Sequence, residues 1–365
     1  MDTSDPQITF DEHGECDFCK NYKEVIAPSW HPDEQGMREL LKISDKIREE
    51  TKNNKYNCIV GMSGGVDSSY LVYITVEIMK LTPLIFSVDS GWNLNVAVEN
   101  IEKIVSHYDL DLYTEVVNWR EMKDLQFAFL KAGVPYQDLP QDHVIFAGLY
   151  NYAVKNHIKY VFTGANYSTE CVKPPFEWTY VNDIAFIKDV HKRFGKVPLD
   201  TFPLCSMTKN RIYYRGIKGM KVIKPLDYVP YTKEDAIRLL EERFGWEQYK
   251  NKHYENVFTR WYEGYYLPTK FGYDKRRCYL ASLILTGQMT RDEALRQLDE
   301  PPYDPEQAKE DTEYIAKKLG FTMEEMSRQI HGENKTYRDY RNHADVLNRL
   351  IHTAQRVGIE KRNFR

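Results

Sequence analysis

Two adjacent glycines, Gly64 and Gly65, stand between an apolar run, Tyr56-Asn57-Cys58-Ile59-Val60-Gly61-Met62, and a stretch whose apolar residues Tyr70, Leu71, Ile74 and Ile78 recur at helical spacing. The order is strand, tight loop, helix. A second apolar run, Pro83 to Val88, ends at Asp89-Ser90-Gly91, and a helix-like segment through Val96, Ile101 and Ile104 leads to a third run, Leu112 to Val117. Helical stretches over 121–132 and 142–156 precede a fourth run, Lys159-Tyr160-Val161-Phe162-Thr163-Gly164. Strands alternating with helices of this length predict an α/β fold, a parallel sheet with helices on both faces. Ligands of such sheets sit beyond the carboxyl ends of the strands, which is where Ser63 to Ser69, Asp89 and Gly164 to Glu170 fall.

The flanking regions differ in character. Residues 1–30 are rich in Asp, Pro and turn formers and read as an irregular knuckle without a helix. From Glu34 to Thr51 the positions Met37, Leu40, Leu41, Ile43 and Ile47 predict an amphipathic helix. After Tyr167 the string Lys173-Pro174-Pro175-Phe176-Glu177-Trp178 breaks any regular element, and a substrate-facing insertion is expected. From Thr232 onward the chain reads as helical, with capping-box spacing at Thr232 and Asp235, Thr290 and Glu293, and Thr322 and Glu325. These shifts divide the chain into a knuckle (1–33), a central domain with an insertion (34–230) and a helical C-terminal region (231–365).

A net charge of −4 over 365 residues lacks the basic balance that favours a nucleic-acid backbone. No apolar run reaches membrane-spanning length and the N-terminus is acidic, so a soluble, cytoplasmic protein is expected, with neither nucleic acid nor membrane as partner. Of six cysteines, Cys58, Cys171, Cys205 and Cys278 stand far apart. Cys16 and Cys19 form a C-x-x-C pair that suits two thiolate ligands of one tetrahedral zinc, half of a closed site.

The glycine pair leaves backbone N–H groups pointing outward at the positive end of a helix dipole, a place that attracts phosphate. Gly64 and Gly65 allow close approach of the backbone, with Val66 next in the loop, and the hydroxyls of Ser63, Ser68 and Ser69 add donors. Asp67 would be repelled by bound phosphates unless a cation lay between them, which makes it a candidate Mg²⁺ ligand. A serine-rich turn that merely caps a helix is the plain alternative. The lysine of a Walker A loop is absent, its place taken by Val66-Asp67.

The string Ser63-Gly64-Gly65-Val66-Asp67-Ser68-Ser69 resembles the signature of the PP-loop ATP pyrophosphatases, which implies an adenine nucleotide alpha hydrolase-like sheet and cleavage of ATP between its α and β phosphates. The resemblance places adenosine near Asp89. It puts Gly164, Asn166 and Glu170 beside the phosphates or substrate, and makes Ser63, Asp67 and Asn166 the catalytic set. Asp89 as a turn residue and Asn166 as a helix cap are the alternative readings.

Further strings extend the likeness: Asp2-Thr3-Ser4-Asp5-Pro6, Ile8-Thr9-Phe10-Asp11, Gly14-x-Cys16-x-x-Cys19, Tyr265-Tyr266-Leu267-Pro268-x-Lys270-Phe271-Gly272-Tyr273-Asp274-Lys275-Arg276-Arg277 and Gly287-Gln288-Met289-Thr290-Arg291. Together they resemble the N-acetyl sugar amidotransferases of the WbpG/PseA type, from bacterial surface-polysaccharide (lipopolysaccharide O-antigen) and pseudaminic- or legionaminic-type pathways. The resemblance implies conversion of a sugar acetamido group to an acetamidino group through an O-adenylyl imidate attacked by ammonia. It implies ATP and Mg²⁺, a diacetamido and sometimes nucleotide-linked sugar, and a zinc site that includes Cys16 and Cys19 with a second C-x-x-C upstream of the segment aligned with Met1.

Lys275, Arg276 and Arg277 are candidates to grip a carboxylate or phosphate of the substrate, or else form a solvated basic turn. Tyr265, Tyr266, Phe271 and Tyr273 would stack on a sugar or simply pack. None of Cys58, Cys171, Cys205 and Cys278 has the glycine-flanked neighbours of a glutaminase nucleophile, so separate glutaminase and synthase-like subunits are expected to supply ammonia. Two other readings stand beside this one. The first is a tRNA-thiolating PP-loop enzyme with a persulfide on Cys171, and the second is a non-catalytic nucleotide-binding partner.

Overall fold

Successive residues of the central strands point to opposite faces of the sheet, and each face has its own core. Cys58 and Val60 join Ile85, Tyr160 and Phe162 on one side, while Ile59, Leu84, Phe86 and Val161 lie on the other. The computed structural model describes residues 1–180, 183–249 and 255–358. Its strands are β1 (Cys58–Gly61), β2 (Pro83–Asp89), β3 (Leu112–Val116), β4 (Tyr160–Phe162) and β5 (Lys221–Ile223). They form a parallel sheet in the order β3-β2-β1-β4-β5.

Helices Glu34–Glu50, Val66–Tyr73, Asn95–Tyr108 and Lys233–Phe244 cover the first face through Leu40, Ile47, Leu71, Ile101, Ile104 and Leu240. Leu139–Lys155 covers the second with Ala147, Leu149 and Ala153. The fold is therefore the expected α/β fold, a parallel sheet with helices on both faces. The chain leaves β1 for β2 on one side and returns to β4 on the other, so the strand order reverses at β1, and a crevice opens there at the carboxyl ends.

The structure adds elements the sequence did not announce. β5, the three residues Lys-Val-Ile, extends the sheet beyond β4, with Val222 opposite Val161. The region expected to be an irregular insertion contains the helix Ile184–Phe194, whose Phe186, Ile187 and Val190 enter a core with Leu125, Phe129 and Tyr340. The knuckle is not free of helix either: Asp17–Asn21 is helical and helical turns continue to Ser29. Five residues are too few to show a period in the sequence.

The C-terminal helices begin at Val257–Trp261, continue through Leu267–Phe271, and follow as Arg276–Leu285, Arg291–Asp299, Pro305–Leu319, Met323–His331 and Ala344–Arg356. The expected caps form. Glu293 N donates to Thr290 Oγ1 at 3.3 Å and Thr290 N returns a bond to Glu293 Oε2 at 2.8 Å. Thr322 and Glu325 repeat the arrangement. At Thr232 the cap accepts from Asp235 N at 3.2 Å, but the shorter Asp235 side chain meets the Thr232 hydroxyl instead of its backbone.

These helices do not stand apart from the sheet: Trp92 and Leu130 share a core with Phe258, Trp261, Tyr266 and Ile315. Among the described residues no helix is long and apolar enough to cross a membrane.

Candidate functional site

The loop leaving β1 is built so that only glycine fits. Gly64 has φ +84°, and a Cβ there would lie 2.4 Å from the backbone oxygen of Ala97. On the other side, a Cβ at Gly164, just after β4, would meet the Asp67 carbonyl carbon and the Ser68 nitrogen at 3.1 Å. Gly64 and Gly164 thus let the segment between them lie close against both the Asn95–Tyr108 helix and β4.

The serines fold inward to brace this turn. Ser63 N donates to Ser68 Oγ at 3.2 Å, and Ser68 Oγ donates to Gly65 O at 3.1 Å. Trp246 Nε1 and Tyr249 OH donate to Gly64 O at 3.1 and 3.3 Å. The helix that follows starts at Val66, with Ser69 N reaching Gly65 O at 3.0 Å, and its N-cap, Gly65, has no side chain to cap the preceding amides. The Ser69 hydroxyl is buried without a hydrogen-bond partner. An uncapped helix start beside a glycine pair is a cradle for phosphate oxygens.

Asp67 lies at the mouth of this cradle, and its Oδ1 accepts from the hydroxyl of Tyr231. Tyr231 is 4% exposed. Burial, then the Asp67 charge, pushes its phenol well above the ordinary tyrosine pKa, so it remains a donor that fixes the carboxylate. Asp67 fits the single-carboxylate mode in which Mg²⁺ is held together with nucleotide phosphates. Zinc has no such fit. Cys16 and Cys19 are brought together, Sγ to Sγ at 3.4 Å, but no group of three or more His, Cys, Asp or Glu forms a metal site among the described residues.

Residues after β4 are held by the C-terminal region. Asn166 is 2% exposed and caps the turn Tyr167–Glu170, accepting from Thr169 N at 2.9 Å, while its Nδ2 donates to Gly164 O at 3.0 Å. Of its two open readings, the cap is the one the geometry displays. Gln288 Nε2 donates to Ser168 O and Ser168 Oγ, both at 2.8 Å, and Val172 N donates to Ser282 Oγ at 3.0 Å. Glu170 pairs with Lys173 at 3.2 Å and adds its charge to the field at Tyr231.

At the end of β2, Asp89 Oδ1 accepts from Gly91 N at 2.8 Å, a turn-closing bond. Beside it opens a cavity of about 480 Å³ lined by Gly91 to Val96 with Val257 and Tyr314.

The three basic candidates are each paired with an internal carboxylate. Lys275 meets Glu263, Arg276 forks onto Asp274 at 2.7 Å and also reaches Gln297 O and Glu300 O, and Arg277 meets Asp2. Burial works against the charge of Lys275, but Glu263 outweighs it and holds its pKa well above the usual value. They are not a solvated basic turn. Tyr266 and Phe271 sit in the packed core around Trp261, and Tyr273 stacks on Trp178 at 5.1 Å. Cys171 is 5% exposed and burial pushes its thiol up to about 11, the behaviour of a small buried hydrophobe.

Residues that the sequence did not single out complete the site. Tyr231 and Glu255 reach the loop from distant positions, and nothing in their local spacing signals it. Asp138 carries a signal only in hindsight, since Gln141 and Asp142 follow it at helical spacing. Gln141 Nε2 donates to Asp138 Oδ1 at 2.6 Å, and Gln141 Oε1 accepts from Ser90 Oγ at 2.6 Å and Asn256 Nδ2 at 2.9 Å. Burial, then the charges of Asp142 and Glu263, raises the Asp138 carboxyl to about 8.

Residues 255–355 match the family described as LPS biosynthesis protein WbpG-like, C-terminal domain. The matched stretch is similar to that domain and takes up 101 of the 365 residues. Its first residues, Glu255 and Asn256, touch Ser63 and Gln141, and its Ser282 and Gln288 hold the segment after β4.

An uncharacterized protein of Methanocaldococcus jannaschii is 33% identical over 100 residues, a stretch covering 27% of this chain and 34% of that protein. The match thus spans about a third of that relative's length. Among solved structures, the NH3-dependent NAD synthetase of Campylobacter jejuni is 15% identical, with 78% of this chain and 97% of that chain covered at a TM-score of 0.32. The U34-tRNA thiolase NcsA of Methanococcus maripaludis, with its 4Fe-4S cluster, is 17% identical, with 73% and 81% covered at 0.33. The NMN synthetase of Francisella tularensis is 15% identical, with 59% and 88% covered at 0.28.

Proposed function

We propose that this chain is an ATP-dependent, AMP- and pyrophosphate-forming amidotransferase that converts a sugar acetamido group to an acetamidino group. The observation that carries the reading is the glycine cradle at the reversal of strand order, with the carboxylate of Asp67 fixed at its mouth by Tyr231. The likeness of residues 255–355 to the WbpG-like domain supports the choice of acceptor, and Glu255 and Gln288 of that stretch bond Ser63 and Ser168 beyond β1 and β4.

The cradle of Ser63 to Ser69 holds the β and γ phosphates, with adenosine toward the cavity after β2. When bound at Asp67, Mg²⁺ supplies charge neutralisation on the departing pyrophosphate. The acetamido oxygen attacks the α phosphorus as the bond to pyrophosphate breaks, and the backbone amides of the helix start stabilise the charge that develops. Ammonia then adds to the imidate carbon, and AMP leaves with the former amide oxygen. Asp138, with a carboxyl near 8, accepts the proton that the incoming nitrogen releases. Ammonia comes from a separate glutaminase and synthase-like pair.

The test is incubation with ATP, Mg²⁺, an ammonium salt and diacetamido sugars, free and nucleotide-linked. Product mass should show oxygen replaced by NH, with AMP and pyrophosphate in equal amounts. Release of ADP and phosphate in their place would defeat the reading.

A further inference from the structure

Glu255 opens the WbpG-like domain, yet its carboxylate lies on the phosphate loop. Oε1 accepts from Ser63 Oγ at 3.3 Å, and a Cβ built on Gly65 would stand 3.0 Å from the same oxygen. The carboxylate therefore rests against the bare backbone that the glycine pair leaves open. Its strap is tied down: Leu94 N donates to Glu255 O and Val257 N to Trp92 O, both at 3.0 Å, and Asn93 pairs with Asn256 in an antiparallel bridge. An anion-binding loop with a hydroxyl donor is thus met by an anion of the chain itself, positioned by backbone pairing.

We propose that Glu255 is a specificity-determining residue of the nucleotide site: its carboxylate takes the place of a phosphate oxygen in the free protein. A triphosphate has to displace it, and does so readily only when Mg²⁺ counters the phosphate charge. The inference rests on the reading of the loop as the ATP site. Like charges this close repel strongly in a partly desolvated crevice, whereas a metal-neutralised triphosphate meets little opposition.

The experiment is calorimetric titration of the full chain, wild type and Glu255→Gln, with ATP and with inorganic pyrophosphate, in EDTA and in excess Mg²⁺. Without metal, Glu255→Gln should bind both roughly fivefold or more tightly than wild type, and with Mg²⁺ the difference should shrink below about twofold. Glu255→Ala should change metal-free binding in the same direction, which guards against an effect peculiar to the amide. Unchanged or weaker metal-free binding in both variants overturns the proposal. Loss confined to the Mg²⁺ arm overturns it too, since the carboxylate would then be a metal ligand. If wild type binds no ATP in Mg²⁺, or binds it undiminished in Gly64→Ala, the ATP-site reading itself fails and the proposal falls with it.

Discussion

Tyr231 donates its phenolic hydroxyl to the carboxylate of Asp67 across 164 positions of sequence. Because burial and the carboxylate both disfavour the phenolate, the donor persists over the whole working pH range. Asp67→Asn should lower AMP and pyrophosphate release by about a hundredfold or more while leaving the thermal transition in place. Tyr231→Phe, which leaves the carboxylate unfixed, should cost about tenfold in kcat. Undiminished turnover in Asp67→Asn would remove Asp67 from the chemistry.

Gly64→Ala would place a methyl group 2.4 Å from Ala97 O at a φ of +84°. The strain should lower stability by about 1–3 kcal/mol, read from urea midpoints, and abolish nucleotide binding by displacing the loop.

Asp138 sets a pH dependence in two respects. As a proton acceptor it works in its charged form, so kcat should rise through about pH 8. In Asp138→Asn that rise should be lost together with most of the activity. Stability runs the other way. The folded carboxyl binds its proton more tightly than the unfolded one, so wild type loses stability as pH climbs from the ordinary carboxyl range through about 8. Asp138→Asn should therefore melt about 2–4 °C above wild type at pH 9 and close to it at pH 4.

Gln288→Leu removes both of its bonds to Ser168, whose carbonyl then keeps only the bond from Thr286 Oγ1 at 2.9 Å. A loss of about 1–3 kcal/mol in stability is expected, with KM for the sugar rising more than KM for ATP. Equal changes in both constants would show that the segment serves the fold alone.

Cys171→Ser, at a thiol packed beside Trp178 and Val172, should retain amidotransfer within about threefold. Loss of activity accompanied by gain of tRNA binding as a measurable property of the wild type would favour persulfide chemistry instead.

Four strands were readable because each holds a cluster of apolar residues closed at or soon after its end by Gly, Asp or Asn, and the caps at Thr290 and Thr322 because their partners lie three residues away. β5 was not readable, since its apolar residues are only Val222 and Ile223, set between Lys221 and Lys224. The basic triplet was visible as residue types, but its engagement with Glu263, Asp274 and Asp2 was not: two of those partners lie outside the turn, and local spacing carries no trace of them.

By itself the sequence determined the parallel α/β frame, the place of the glycine cradle within it and the helical character of the C-terminal region, because hydrophobic period, caps and the conformational freedom of glycine act over a few residues. Only the tertiary structure decided that Tyr231 fixes Asp67, that Gln288 and Ser282 hold the segment after β4, and that Glu255 lies against Ser63 and Gly65. Those contacts form when Tyr231 packs with Leu71 and Leu240, Cys278 with Cys171 and Trp178, and Val257 with Trp92, and hydrogen bonds made through space depend on that docking rather than on any neighbour in the chain.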